Sequence, residues 1–164
     1  MKYINRLSAF AAVLSLLLIS ACGDDTPDPT TDPIPGQAIS GTWFVEEPSD
    51  VTGPVADQFS DFIITITATS SEVNYTTNTE QINAEQIVFP KLGTFAVEES
   101  DNFTSGADVM RGPDNVSTEI TLSEGGNVMT MVFTITGLNE ENARVTEVAG
   151  EYVFRLQKQQ QQQQ

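Results

Sequence analysis

The sequence predicts an all-β fold, namely an antiparallel barrel of about eight strands or, as the alternative, an open β-sandwich. Three observations support this prediction: short runs in which apolar and polar residues alternate, an excess of β-branched and aromatic residues in those runs, and glycine or proline breaks between them. No long segment carries the 3.6-residue apolar period of a surface helix. A helical bundle is therefore excluded.

The clearest strands lie in the middle and second half of the chain. Residues 62–69 alternate apolar side chains with isoleucine and threonine, and residues 116–123 and 129–136 repeat the pattern. Between the last two runs stands Glu124-Gly125-Gly126-Asn127, whose glycines tolerate the positive φ angles of a tight turn. This segment predicts a β-hairpin.

Six shorter runs are weaker strand candidates, separated by Pro48, Gly53-Pro54, Pro90, Gly93, Gly112-Pro113 and Gly137. A short helical turn is expected around residues 56–60 or 80–85. The six candidate strands are residues 42–46, 73–77, 87–89, 94–98, 143–148 and 151–156.

The N-terminus has the layout of a bacterial signal peptide. Lys2 and Arg6 form a positive n-region, and residues 9–19 form an uncharged, mostly apolar h-region. The following Ile19-Ser20-Ala21-Cys22 resembles the lipobox of bacterial lipoproteins. The resemblance implies cleavage before Cys22, a diacylglycerol on its thiol and a fatty acyl chain such as palmitate on its amine.

Two other interpretations of the N-terminus are a soluble secreted protein cut after Ala21 and a membrane-spanning helix. A span needs roughly 20 apolar residues, and this run is shorter. Because stable anchoring takes more than one acyl chain, a triacylated Cys22 would bind the lipid bilayer firmly. We therefore expect a lipid-anchored protein.

Removal of residues 1–21 leaves 143 residues, enough for one domain. Residues 22–38 are expected to form an extended tether, because they contain four prolines and four aspartates and little apolar surface. Asp24-Asp25 resembles the acidic export signal of surface lipoproteins in Bacteroidetes-type bacteria, which implies the outer membrane and leaves the leaflet, periplasmic or cell-surface, open. The barrel domain is assigned to residues 39–158 and a disordered poly-Gln tail to residues 159–164.

Composition narrows the function. The formal charge is −16, and loss of Lys2 and Arg6 makes it −18, so nucleic acid is not an expected partner. The chain has no histidine and a single cysteine, Cys22, so it lacks the usual general base, a disulfide and a cysteine nucleophile. We expect a monomer without enzymatic activity and without a cofactor.

The abundant carboxylates leave two weaker options open. Calcium binds carboxylate oxygens, and acidic residues cluster between Glu98 and Asp108, but without the spacing of a calcium loop. A hydrolase acting on glycans would need two carboxylates about 5 to 9.5 Å apart in a cleft. Glu119 or the pair Glu98-Glu99 are the candidates, and no motif selects among them.

The two ends of the domain resemble those of lipocalin-like barrels. Gly41-Thr42-Trp43 opens the first strand, and Arg155 lies on the last. The resemblance implies that the Arg155 guanidinium stacks on the Trp43 indole where the first and last strands close the barrel, a contact that contributes about 0.5 to 2 kcal/mol. The chain departs from true lipocalins in being shorter, in lacking their Thr-Asp-x-x-Tyr segment and in having no disulfide. It looks more like the short lipocalin-like domains of Bacteroidetes-type lipoproteins.

The lipocalin-like resemblance implies a barrel interior that captures a small apolar ligand. The residues expected to line it, besides Trp43, are Phe62, Ile64, Ile66, Met131, Phe133 and Phe154. Binding of a partner is equally compatible with the sequence. A structural or adhesion lipoprotein with a filled core is the alternative.

Overall fold

The computed structural model describes residues 34–80, 84–136 and 145–160. The predicted signal peptide, Cys22, most of the tether and the last four glutamines lie outside these residues. Within the described part of the chain, no helix has the length and apolarity needed to cross a bilayer.

Eight strands form a closed antiparallel barrel, because the first strand pairs with both the third and the last. A ninth, two-residue strand pairs with Val153 and Phe154 of the last one, on the side that the first strand pairs further along. Closure confirms the predicted barrel over the open sandwich. The strands are β1 Gly41–Phe44, β2 Val51–Thr52, β3 Ile63–Ala68, β4 Val73–Thr77, β5 Leu92–Ala96, β6 Ala107–Gly112, β7 Val116–Ser123, β8 Val128–Ile135 and β9 Gly150–Lys158.

The alternation in the sequence becomes the two faces of the barrel wall. Along β7 and β9 every second residue is buried, and those residues form the interior. The predicted hairpin is confirmed: β7 and β8 pair from Ser123↔Val128 onward, and Gly125 and Gly126 have φ angles of 68° and 85°.

Two predicted strands are short helices. Residues 84–88 form α1 (Ala84–Val88), and Val145–Val148 form α2, whereas strands were expected at 87–89 and 143–148; residues 143 and 144 lie outside the described part. A short apolar run does not distinguish a strand from a buried helical turn. Here Val88, Phe89 and Val148 bury their side chains against the barrel end instead of joining the sheet. The expected turn near residues 56–60 is the 3₁₀ helix Ala56–Phe59.

Strands β2 and β6 were not predicted from the sequence. In β6 the inward positions are Ala107, Val109 and Arg111. Because Arg111 is charged, these positions do not form an apolar series, and the two-residue alternation was not recognised. Strand β2 is only two residues long, which is too short for any period to show.

The barrel has two different ends. At the terminal end, defined by residues 34–40 and 158–160, the chain enters through the 3₁₀ helix Gln37–Ile39 and leaves after β9. Close packing begins before residue 39, because Gly36 is already buried against Val73. At the loop end, defined by the described connections 45–62, 78–80, 84–91 and 113–115 and by α2, the helices α1 and Ala56–Phe59 lie over the interior.

Candidate functional site

The predicted interior residues all lie inside the barrel. They are no more than 3% exposed and belong to one continuous core. This set comprises Trp43, Phe62, Ile64, Ile66, Met131, Phe133 and Phe154.

Trp43 is fixed by two contacts. Its indole N–H donates to the Ile39 carbonyl at 2.8 Å, which ties β1 to the preceding 3₁₀ helix. The ammonium of Lys158 lies 5.0 Å from the indole ring centre, and Trp43 and Lys158 are opposite each other in the β1–β9 ladder. A cation therefore does cover the tryptophan where the first and last strands meet.

The expected stacking of Arg155 on Trp43 is not formed. In β9 the side chains of Tyr152, Phe154 and Leu156 face inward, so Arg155 faces outward. Its guanidinium bonds Glu124 at 3.0 Å and approaches Asp50 at 3.5 Å. Lys158 has the inward parity and occupies the place that the resemblance assigned to Arg155.

The loop end of the interior is filled by aromatic rings. Phe62 contacts the rings of Phe59, Phe89 and Phe154 with centroid distances of 5.0 to 5.8 Å. Phe133 stacks on Tyr152 and Phe154 at 5.6 Å. These rings, with Tyr75 and Phe95, form what we call the aromatic cluster, whose members are Phe59, Phe62, Tyr75, Phe89, Phe95, Phe133, Tyr152 and Phe154.

Arg111 lies within this cluster and is 0% exposed. Its guanidinium carbon is 4.3 Å from the centre of the Phe89 ring and 4.5 Å from that of Phe133. The two rings contact each other edge to face, with centroids 5.7 Å apart and planes at 78°, so they lie on adjacent sides of the cation. Arg111 was not predicted as a site residue from the sequence. The alternation of Ala107, Val109 and Arg111 was the available signal, since it gives the arginine the parity of buried residues.

The hydrogen bonds of Arg111 are incomplete. Nε donates to both carboxylate oxygens of Asp114, and Nη2 donates to Asp114 and to the Val88 carbonyl at 2.8 Å. Nη1 is buried and has no hydrogen-bond acceptor among the described residues. A desolvated donor without an acceptor is costly, about 1 to 3 kcal/mol and more for a charged group.

Tyr75 completes a small polar region inside the cluster. Its hydroxyl donates to the Gly112 carbonyl at 2.9 Å, and burial raises the pKa of Tyr75 well above its usual range; nearby Arg111 lowers this pKa and Asp114 raises it further. Gly93 makes the contact possible, because a Cβ there would lie 1.9 Å from the Gly112 oxygen and 2.5 Å from the Tyr75 hydroxyl.

A pocket of about 290 Å³ opens to solvent at the loop end. Phe59 and Phe62 contribute buried rings to it, and the Phe62 ring is 5.2 Å from Phe89, the ring that lies on Arg111. Two aromatic rings therefore separate the pocket from the guanidinium. The pocket is lined by Gln58, Phe59, Asp61, Phe62, Asn78, Thr79, Glu80 and Glu85.

The other predicted polar sites are not assembled. Glu98, Glu99 and Glu119 are exposed and do not line this pocket. Among the described residues, no group of three or more His, Cys, Asp or Glu is arranged to hold a metal ion. The predicted lipidation site, Cys22, lies outside the described part.

Comparisons with protein-family models, with curated proteins and with solved structures give no significant match to this chain.

Proposed function

We propose that this chain is a membrane-anchored, non-enzymatic lipoprotein of the bacterial outer membrane whose barrel binds a small, mostly apolar ligand at the loop end. Acylated Cys22 is its anchor to the bilayer, as the lipobox resemblance implies. The observation that supports ligand binding is the buried Nη1 of Arg111, a charged donor without an acceptor among the described residues and next to the rings of Phe89 and Phe133.

Burial of the Arg111 guanidinium carries a free-energy cost. Removing a guanidinium from water is expensive, and a buried ion pair is often no more stable than apolar side chains of similar volume. The interior around Arg111 is otherwise built from phenylalanine and tyrosine. In a core that contributed only to stability, this cation would add little free energy of folding. In a ligand-binding site, its unpaired donor would bind the ligand.

A structural or adhesion module with a filled core is the second candidate. The packed aromatic cluster favours it, because those rings occupy the loop end of the interior. The pocket at this end is polar rather than apolar. A surface-acting protein needs no cavity, and its contacts would lie on the outside of the barrel.

Native mass spectrometry of the full chain, purified from its own source, distinguishes the two candidates. A small molecule bound in a one-to-one ratio supports ligand binding. A mass equal to that of the acylated polypeptide alone, across several growth conditions, contradicts it and leaves the filled-core module.

The anchor is tested separately by cell fractionation. Cys22→Ala should move the protein from the membrane fraction to the soluble one, because it removes the acylated sulfur. The matched control is Ser20→Ala, which keeps a small residue before the cysteine and should leave the protein with the membrane. An unchanged membrane fraction for Cys22→Ala would contradict lipidation.

The hydrolase alternative now rests on the pocket, which gathers Asp61, Glu80 and Glu85. If it were correct, the purified chain would release reducing sugars from a bacterial or host glycan, and Glu80→Gln together with Glu85→Gln would abolish the release. We expect no release above that of a buffer control.

A further inference from the structure

We propose that Nη1 of Arg111 hydrogen-bonds the oxygen of an uncharged ligand, a carbonyl compound whose apolar body is about the size of one aromatic ring. The ligand reaches Arg111 from the loop-end pocket by displacing the ring of Phe89. This inference rests on the proposed ligand-binding function and adds the anchoring atom, the ligand class and the route.

The direction of the free donor follows from the shape of the guanidinium. Nε and Nη2 form one edge of the planar group, and both donate to Asp114. Nη1 lies on the other side of Cζ, so its N–H groups point away from that carboxylate. They lie in the same buried region as the rings of Phe89 and Phe133, where an acceptor oxygen would be shielded from water.

Charge selects a neutral ligand over an anion. The positive charge of Arg111 already has a counter-ion in Asp114, so an added carboxylate would bring an unbalanced negative charge into an apolar region. The entry pocket carries Asp61, Glu80 and Glu85, which repel anions. A carbonyl oxygen satisfies Nη1 without either cost.

Phe89 is the ring that a ligand would replace. It belongs to the segment after α1 and not to the barrel wall, unlike Phe133, the other ring next to Arg111. Its backbone carbonyl accepts a hydrogen bond from the Thr79 hydroxyl, and the neighbouring Val88 carbonyl accepts one from Arg111. A ligand ring in the place of Phe89 would keep the aromatic contact with the guanidinium and supply the missing acceptor.

The test compares three probes of similar size: acetophenone with a neutral carbonyl, ethylbenzene without an acceptor, and benzoate with a negative charge. Binding to the full chain carrying Cys22→Ala is followed by NMR, including the side-chain N–H signals of Arg111. We expect acetophenone to bind about tenfold more tightly than ethylbenzene, as a hydrogen bond to a charged donor predicts, and benzoate to bind most weakly. Only acetophenone should shift the Nη1 proton signals.

Two variants extend the comparison. Arg111→Lys keeps the charge opposite Asp114 but lacks Nη1, so it should remove the advantage of acetophenone over ethylbenzene. Phe62→Leu leaves Arg111 in place and thins the barrier to the pocket, so it should speed association of acetophenone without changing the order of the three probes. If Arg111→Lys does not fold, two measurements still test the inference. They are the affinity order of the three probes in the protein that keeps Arg111, and the association rate of acetophenone with Phe62→Leu.

Equal affinities for acetophenone and ethylbenzene, tighter binding of benzoate, or Nη1 signals that no probe shifts would overturn the inference. A co-purified ligand that binds Arg111→Lys undiminished would overturn this site and leave the proposed function standing. Absence of both a co-purified ligand and probe binding would contradict both.

Discussion

The two ends of the barrel each place a cation on aromatic rings, but in different surroundings. At the terminal end, Lys158 lies over one face of Trp43, and its ammonium remains partly open to water. At the loop end, Arg111 lies against the rings of Phe89 and Phe133 and is fully buried. Lys158 is only partly buried, whereas the buried guanidinium of Arg111 loses its hydration and is compensated only in part by the described residues.

The difference shows that burial, and not the cation–aromatic contact itself, determines how much of the structure depends on a charge. A cation–aromatic contact whose cation is partly exposed contributes about 0.5 to 1 kcal/mol. A buried cation needs a counter-ion and acceptors, so Asp114 and the Val88 carbonyl are bound to it. The terminal end can therefore tolerate changes that the loop end cannot.

The largest effect is expected from Asp114→Asn. Removing the counter-ion leaves the buried guanidinium of Arg111 uncompensated, which should lower the free energy of unfolding by about 3 to 5 kcal/mol. Urea unfolding measures this loss. Asp108→Asn, an exposed carboxylate on β6, is the matched control and should change stability by less than about 0.5 kcal/mol. Equal, small losses for the two variants would show that Arg111 does not depend on Asp114.

A smaller effect, which depends on pH, is expected at Tyr75. Burial raises the pKa of this hydroxyl in the folded state above the ordinary value of 10.0, so folding favours the protonated form. The resulting stability is present below the ordinary pKa and is lost as the pH rises above it. Tyr75→Phe should cost about 1 kcal/mol near neutral pH through the bond to the Gly112 carbonyl and should reduce the loss of stability at alkaline pH.

The check for Tyr75 is urea unfolding of both proteins between about pH 8 and pH 11. Burial also raises the pKa of Tyr152, so part of the alkaline loss should remain in the Tyr75→Phe variant. A pH dependence that is identical in the two proteins would contradict the role given to Tyr75.

The smallest effect is expected from Lys158→Met. It removes the ammonium from the Trp43 ring and should cost no more than about 1 kcal/mol, because the contact is partly hydrated. Lys158→Arg keeps the cation and should restore the stability. Thermal unfolding of both variants provides the measurement. A loss as large as that of Asp114→Asn would mean that the two ends are energetically alike.

The sequence predicted the barrel because most strands obey the two-residue period, and the β7–β8 hairpin is the clearest case. The same period, applied to β9, would have assigned Arg155 to the outside and Lys158 to the inside. The lipocalin-like pattern named the residue type and not the parity, and so selected the wrong cation. The inward or outward position of a residue along its strand was therefore a more reliable predictor of the cation on Trp43 than the resemblance.

The site at Arg111 could not be predicted in the same way. Its two aromatic neighbours and its counter-ion come from three separate segments, the stretch after α1, strand β8 and the turn after β6. Phe89 was expected in a strand and instead directly follows helix α1. Long-range packing determines which rings meet the guanidinium, and no local pattern records it.

The hydrogen bond from the Gln159 amide to the Thr42 carbonyl, at 2.8 Å, directly connects the beginning of the barrel domain with its end. Circular permutation is therefore feasible: a linker could join residue 160 to residue 34, which keeps Ile39 as the acceptor of the Trp43 indole N–H, with new termini cut at the exposed Ser70-Ser71 connection. Such a permuted protein would retain every strand pairing, and neither the linker nor the new termini would lie at the loop end.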